Sequence, residues 1–576
     1  MPKIKQILKE VFCITAIALV AFTHKIIAFF FTGRGALSSL SQIKFASLLA
    51  AIHLVFYAYP IALFIWGAGV DSFTSKVFLV FLTCGAYFAC VFVFFTILNS
   101  LFFKFGKTFK VILFVLFVTN GFAEYFVLNF NTILTRDMMG NVLNTKYHEA
   151  SSLVDYKLAF YILLFGILPF IFVKNIAIYK SKFTNKLASC LGLFAVVVGI
   201  AFVNSTAWFW LDAKAKYIAG LAVPFNYSVN GVRAYRQIHK KPKTYKLLPD
   251  AKKLNLATKD AKVLVVLVIG ESARMQNFSL YGYDRSTNPL LTSLKLKGDK
   301  VDVLQNPTSG ATYTSASISH ILSAGGFGAG KLQNHEPLPN YARRQGVFVM
   351  WHSNNWGEPD ISVDSFVKAS QIAKDALDDG RVFELNPNGS PYDDALHYNL
   401  AKKVSHLKDK DKIFVVLHQA GSHGPLYHQK YSKLNAVFTP ACKSVDVKTD
   451  CTKDELINSY DNTIVQTDFV LFDLIKELKK TLPERGVVMI YTSDHGESLG
   501  EGGFYLHGTP WALAPEFQKK VPIIIWQSQN FVNINPYFAA ELKKVQNPSY
   551  KPSHDDIFYL VSTALGFDAK STLSQL

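Results

Sequence analysis

The sequence predicts an α-helical membrane domain followed by an α/β domain built on a mostly parallel sheet. Three observations carry this reading. The 576 residues are 50% hydrophobic with 48 Phe, and the mean hydropathy of +0.20 is high for a water-soluble chain. The apolar residues are concentrated before about residue 206, in runs long enough to cross a bilayer. After about residue 250, short apolar strands alternate with stretches of helical spacing, the pattern of a parallel sheet covered on both faces.

The membrane half reads as five spans, at about 45–69, 77–103, 109–130, 157–174 and 187–205. Lys104, Lys107 and Lys110 mark one loop, and Lys174, Lys180, Lys182 and Lys186 another. The excess of lysine puts both loops in the cytoplasm, so the chain after 205 lies on the outer side. An additional N-terminal apolar segment, 1–44, contains Val11–Thr23 and Ile26–Phe31, each too short to span alone. It is expected to be interfacial or re-entrant, with a sixth span as the alternative. Between the third and fourth spans, Asn141, Thr145 and Glu149 recur at i, i+4 and i+8 and share one helix face. That face is either solvated or suited to a lipid headgroup, whose ammonium the carboxylate would meet. Residues 206–260, with Trp208, Trp210 and a Lys-rich tract, read as a connector lying on the membrane surface.

The net charge of +18 comes without a compact basic motif interleaved with aromatics, which points to anionic lipid surfaces and away from nucleic acid. Of the six cysteines, Cys442 and Cys451 are the two in the soluble part, nine positions apart in a polar loop. Their isolation suggests a disulfide and an oxidising compartment; two unrelated thiols are the alternative.

Within 261–576, Val263–Ile269, Val347–His352, Ile413–His418, Gly486–Ile490 and Val521–Trp526 read as strands. Ser390–Leu407 and Leu456–Leu482 carry helical spacing. Polar residues follow the strands: Glu271, His418, His423, Asp494 and His495. In open α/β sheets the carboxyl ends of strands are where sites form. An adjacent Asp-His pair offers a hard oxygen and an imidazole nitrogen, which suit Zn²⁺, although the same pair also serves as an ordinary hydrogen-bonded turn. The loop from Thr308 to Ser317 is rich in hydroxyls, a property that nucleophile loops share with caps and turns.

G-E-S-A-R (270–274), S-L-Y-G-Y-D-R-S-T-N-P (279–289), G-S-H-G-P (421–425), Y-D-N-T (460–463), S-D-H-G-E-S-L-G-E (493–501) and Y-L-H-G-T-P (505–510) together resemble the membrane phosphoethanolamine transferases, which include the mobile colistin-resistance enzymes. The resemblance covers the chain after about residue 45. It implies a five-span bacterial inner-membrane domain and a periplasmic domain of the alkaline-phosphatase and sulfatase type. It also implies transfer of phosphoethanolamine from phosphatidylethanolamine to lipid A or another surface acceptor. Carried over residue by residue, it makes Glu271, Asp494 and His495 zinc ligands, and Thr314 both a ligand and the nucleophile, with Thr312 as the alternative. His423 and His507 become substrate-site histidines. Asn141, Thr145 and Glu149 become headgroup residues, and Asn355 a substrate residue. Ser309 stands where many members have cysteine, and although the two asparagines, Asn354 and Asn355, match, the lysine common in lipid A enzymes is missing. The nearest rivals are a glycerol-phosphate transferase of the same superfamily and a catalytically inactive membrane scaffold.

Overall fold

The structure is a computed structural model. It describes residues 39–67, 73–144, 154–203, 205–238, 245–258, 261–325, 334–355, 358, 360–387, 389–444, 447–448 and 450–570. The expected N-terminal segment therefore lies outside the described residues up to position 38. Two compact units form, one from residues up to Gly140 with Asp155–Ile238, the other from Asn141–Val154 with His239 onward.

In the first unit a short strand, β1 (Ser39–Ser41), leads into α1 (Gln42–Tyr57), capped by the Ser41 side chain, which accepts the Lys44 N–H. α2 (Tyr59–Gly67) follows at a bend of 50°. Pro60 lies at this bend, and its ring removes one helical N–H donor. Then come α3 (Phe73–Phe102), α4 (Gly106–Phe130), α5 (Tyr156–Val173), β2 (Ala177–Tyr179) and α6 (Phe183–Val203). α5 opens into a π-helical turn at Ile162–Ile167, just before Pro169, which cannot donate to the ladder. Glycine lets α4 and α5 approach closely: a Cβ on Gly121 would lie 3.0 Å from Ile162 Cα, and one on Gly166 would lie 3.1 Å from Val118 Cα. Among the described residues, four helices, α3 to α6, are long and apolar enough to cross a membrane, or five if the bent pair α1–α2 is one span. β1 pairs with β2 in parallel. Within 206–260, helices α7 (Ser205–Leu221) and α8 (Phe225–Ile238) group with the first unit.

The second unit is organised on a seven-stranded sheet. Its strands are β3 (Val263–Gly270), β4 (Lys300–Val303), β5 (Phe348–Ser353), β6 (Ser365–Lys368), β7 (Lys412–His418), β8 (Gly486–Ser493) and β9 (Ile523–Gln527). The order is β4-β9-β8-β3-β7-β5-β6. β9 is antiparallel to both its neighbours and the remaining pairs are parallel, so the sheet is mostly parallel with one reversed strand. The centre is β3, a run of apolar residues buried on both faces. Val263, Val265, Leu267 and Ile269 enter one core, while Leu264, Val266 and Val268 enter the other. The second core is covered by the long helix Lys453–Thr481, which starts in a capping box: Thr452 accepts the Glu455 N–H and Glu455 returns the bond. Pairing of Gly270 with Ser493, and of Ile269 with His418, brings the carboxyl ends of β3, β8 and β7 level. That levelling makes the site.

Candidate metal and transfer site

Glu271 leaves β3 one residue beyond the Gly270–Ser493 pair, and Asp494 and His495 leave β8 beside it. The exit from β3 is crowded. A Cβ on Gly270 would lie 2.5 Å from Tyr491 Oη, and one on Gly421 would lie 2.6 Å from the Glu271 backbone. Ser272 is in the left-handed region, at φ 56°. Its N–H donates to Asp494 Oδ1 (3.0 Å) and its carbonyl accepts from Tyr460 Oη (2.7 Å), which hold a conformation a serine otherwise avoids.

His495 Nδ1 donates to Gly496 O at 2.9 Å, which turns Nε2 toward the carboxylates. Nε2 lies 3.2 Å from both Glu271 Oε1 and Asp494 Oδ2. All three residues are almost fully buried. Burial opposes charge on each of them, yet the His495 imidazole holds Glu271 well below the usual carboxylate range. Burial, reinforced by Glu271, pushes Asp494 up to about 7, and the two carboxylates outweigh burial at His495, raising it to about 10. Two buried acids facing one imidazole form a donor set that favours a cation. One donor atom from each lies within 4.8 Å of the others, and among the described residues Asp494 Oδ2 has no hydrogen-bond partner. Two oxygens and a nitrogen in this spacing fit a divalent metal ion.

The hydroxyl loop supplies a fourth group. Thr314 opens the helix Thr314–Ile321. Its Oγ1 donates to Glu271, with Oε2 at 3.1 Å, and lies 3.4 Å from His495 Nε2. Thr312 is buried and donates to Thr509 O at 2.7 Å, away from the carboxylates. Ser309 donates to Ala311 O at 2.7 Å, so hydrogen bonds tie this loop locally.

His507 Nδ1 donates to Glu497 Oε2 at 2.8 Å, and Glu497 Oε1 accepts from Tyr427 Oη at 2.7 Å. Burial and the nearby charge of His495 lower the His507 pKa. The His507 ring is 4.3 Å from that of His495 and 5.1 Å from that of His423 (centroid distances). Asn355 donates to Glu271 Oε2 and to Gln419 O, so its amide orients a carboxylate of the cluster. Asn141 lies on the helix Arg136–Asn144. Thr145 and Glu149 lie outside the described residues. Cys442 and Cys451 are disulfide-bonded, with Cα atoms 5.6 Å apart, and Cys84, Cys90 and Cys190 are free.

Sequence reading missed His554. It is fully buried, accepts the Gly310 N–H at Nδ1 (3.0 Å) and donates from Nε2 to Ser493 O (2.8 Å), linking the hydroxyl loop to the end of β8. Burial lowers its pKa to about 3, as this neutral tautomer requires. Its only sequence signal is a histidine before Asp555 and Asp556 at a helix start, far from every motif.

The fold is a mostly parallel α/β sheet whose acid–imidazole edge could hold a metal ion beside a hydroxyl at a helix N-terminus, and residues 264–567 match the Sulfatase family. Residues 88–238 match the family described as phosphoethanolamine transferase EptA/EptB. The chain is 37% identical over 453 residues to phosphoethanolamine transferase EptA of Helicobacter pylori (strain ATCC 700392 / 26695), covering 76% of this chain and 82% of that protein. It is 29% identical over 436 residues to phosphatidylethanolamine transferase Mcr-1 of Escherichia coli, covering 72% and 78%. The integral membrane lipooligosaccharide phosphoethanolamine transferase A of Neisseria meningitidis superposes with a TM-score of 0.77 at 25% identity, covering 93% of this chain and 97% of that one. This chain belongs to the phosphoethanolamine transferase family, and it is an enzyme of that class.

Proposed function

We propose that the chain is a zinc enzyme that moves phosphoethanolamine from phosphatidylethanolamine to lipid A or a related lipopolysaccharide acceptor, through an ester on Thr314. The observation that carries this reading is the meeting of the Thr314 hydroxyl with Glu271 at 3.1 Å, beside His495 and Asp494. Glu271, Asp494, His495 and Thr314 would hold the zinc. Zinc in such a site lowers the pKa of a hydroxyl and draws charge from phosphoryl oxygens.

In the first half-reaction, a bond forms between Thr314 Oγ1 and phosphorus, and the bond from phosphorus to the diacylglycerol oxygen breaks. His423 or His507 would take the threonine proton and pass it to the leaving diacylglycerol oxygen. In the second half the acceptor oxygen attacks phosphorus, the bond from phosphorus to Thr314 Oγ1 breaks, and the acceptor's proton passes through the same histidine to Thr314, which leaves as the hydroxyl. Glu497 fixes the His507 tautomer, so that Nε2 faces the reacting oxygens. Asn141, Thr145 and Glu149 would take the donor headgroup, with the Glu149 carboxylate on its ammonium. Asn355 would act on the substrate through Glu271.

The domains on this reading are 1–44, an interfacial or re-entrant segment; 45–205, the five-span domain; 206–260, a membrane-surface connector; and 261–576, the catalytic domain. The bent α1–α2 pair, taken as one span, gives five. An odd number of spans with lysine-rich loops inside puts the catalytic domain in the periplasm, where a disulfide persists. Transfer is tested with the purified full-length chain, ethanolamine-labelled phosphatidylethanolamine and lipid A. Label should appear on lipid A with the wild type and be lost with Thr314→Ala. Transfer that survives Thr314→Ala would refute the ester.

A further inference from the structure

The membrane unit holds a pocket of about 280 Å³ at the turn between α3 and α4, lined by Asn99, Phe102, Gly106, Lys107, Lys110 and Ile176, among others. Four features of it converge. α4 starts there without a side-chain cap, so its first N–H groups and the positive end of its dipole face the turn. Asn99 is 1% exposed, and among the described residues neither its side-chain nitrogen nor its side-chain oxygen has a hydrogen-bond partner, although its backbone carbonyl accepts from Gln42 Nε2. Such a buried orphan costs free energy unless a ligand or water answers it. Lys110 Nζ is fixed by Val173 O and Ile176 O, both at 2.8 Å, and lies over the Phe45 ring. Finally, the segments that form the two turns carry no carboxylate of their own. Neither Ser72–Ala123 nor Lys174–Asn204 contains an Asp or Glu, while the two turns at this end carry Lys104, Lys107, Lys110, Lys174, Lys180, Lys182 and Lys186.

Helix N-terminal N–H groups, lysines and a free amide together form an anion site. Its surroundings identify the source of the anion. Leu101 is 67% exposed and Phe105 62%, apolar side chains next in sequence to the lining residues Phe102 and Gly106 and open to acyl chains. We propose that this pocket binds the phosphodiester headgroup of an anionic phospholipid in the leaflet that meets the lysine-rich turns. Asn99 hydrogen-bonds the headgroup, Lys107 and Lys110 pair with its charge, and the acyl chains lie along Leu101 and Phe105. This site is independent of the catalytic edge.

Native mass spectrometry of the full-length chain, released from vesicles of phosphatidylglycerol or of phosphatidylcholine, tests it. One phosphatidylglycerol per chain should be retained under activation that strips phosphatidylcholine. Lys107→Glu, at an exposed position, should lower that retention by roughly fivefold or more, the contribution of a basic residue at an anionic lipid surface. Asn99→Leu should lower it as well. Lys297→Ala, which removes an exposed charge from the other unit, should leave it unchanged. Equal retention of the two lipids, or no effect of Lys107→Glu, overturns the proposal. Displacement of phosphatidylglycerol by millimolar inorganic phosphate would show an anion site that takes free phosphate, and would overturn the lipid assignment.

Discussion

Asn355 spends both amide hydrogens on Glu271 Oε2 and Gln419 O, at 2.8 and 2.9 Å. Supporting residues of this kind set the orientation of a metal ligand, and their loss typically costs about 10- to 100-fold in metal affinity. Asn355→Ala should therefore lower the zinc content of purified protein dialysed against a weak chelator, while Asn355→Asp, which places a second charge against Glu271, should behave differently from alanine. Undiminished zinc in Asn355→Ala would mean that Glu271 is held by other contacts. The three acid–imidazole residues were legible in the sequence because each lies within a few residues of the end of a short apolar run that reads as a buried strand, and because the family resemblance named them. His554 was not, since its two hydrogen bonds join segments more than 60 positions away. The choice between Thr312 and Thr314 was also open in the sequence. Only the fold turns the Thr312 hydroxyl to Thr509 and the Thr314 hydroxyl to Glu271.

Among elements, the helix Pro289–Leu296 has no side-chain cap of its own. Asp468, on the long helix Lys453–Thr481, supplies the cap by accepting the Leu290 and Leu291 N–H groups at 2.8 and 3.1 Å. Burial outweighs these two bonds and pushes the Asp468 carboxyl up to about 7. A folded-state pKa above the unfolded one means that the folded chain binds a proton the unfolded chain has lost. The stabilisation is complete below about pH 4 and declines as pH rises to about 7, by about 1.4 kcal/mol for each pH step of one between those two values. Asp468→Asn should flatten this part of the thermal midpoint–pH profile, whereas Asp468→Ala should remove the cap and lower the midpoint at every pH. A profile with the same slope in Asp468→Asn would assign the pH dependence elsewhere. The sheet edges show what strand patterning misses. β4 (K-V-D-V) and β6 (S-F-V-K) are four-residue edge strands, too short and too mixed to stand out. The reversed direction of β9 was hidden too, because a strand buried on both faces reads the same either way.

For the whole molecule, the division into a membrane unit and an α/β unit was readable from hydropathy alone. The bend between α1 and α2 was not, although Pro60 marks it. The Cys442–Cys451 bridge closes a short loop that is also tied to the long helix: Cys442 N–H donates to Glu455 O, and Ser459 Oγ donates to Cys442 O. In the chain-entropy account such a loop contributes about 2–3 kcal/mol. Cys442→Ser with Cys451→Ser should lower the thermal midpoint of the α/β unit, and thiol counting on the unreduced full-length chain should find four free cysteines. Six would exclude the bridge.

The proposed mechanism stands on Thr314 carrying the phosphoethanolamine. Peptide mapping by mass spectrometry, after the full-length chain is incubated with phosphatidylethanolamine and no acceptor, decides the point. A phosphoethanolamine mass increment should appear on Thr314, still form in Thr312→Ala and be absent in Thr314→Ala. An increment on Thr312, or an unmodified chain that nevertheless transfers phosphoethanolamine when acceptor is added, would contradict it.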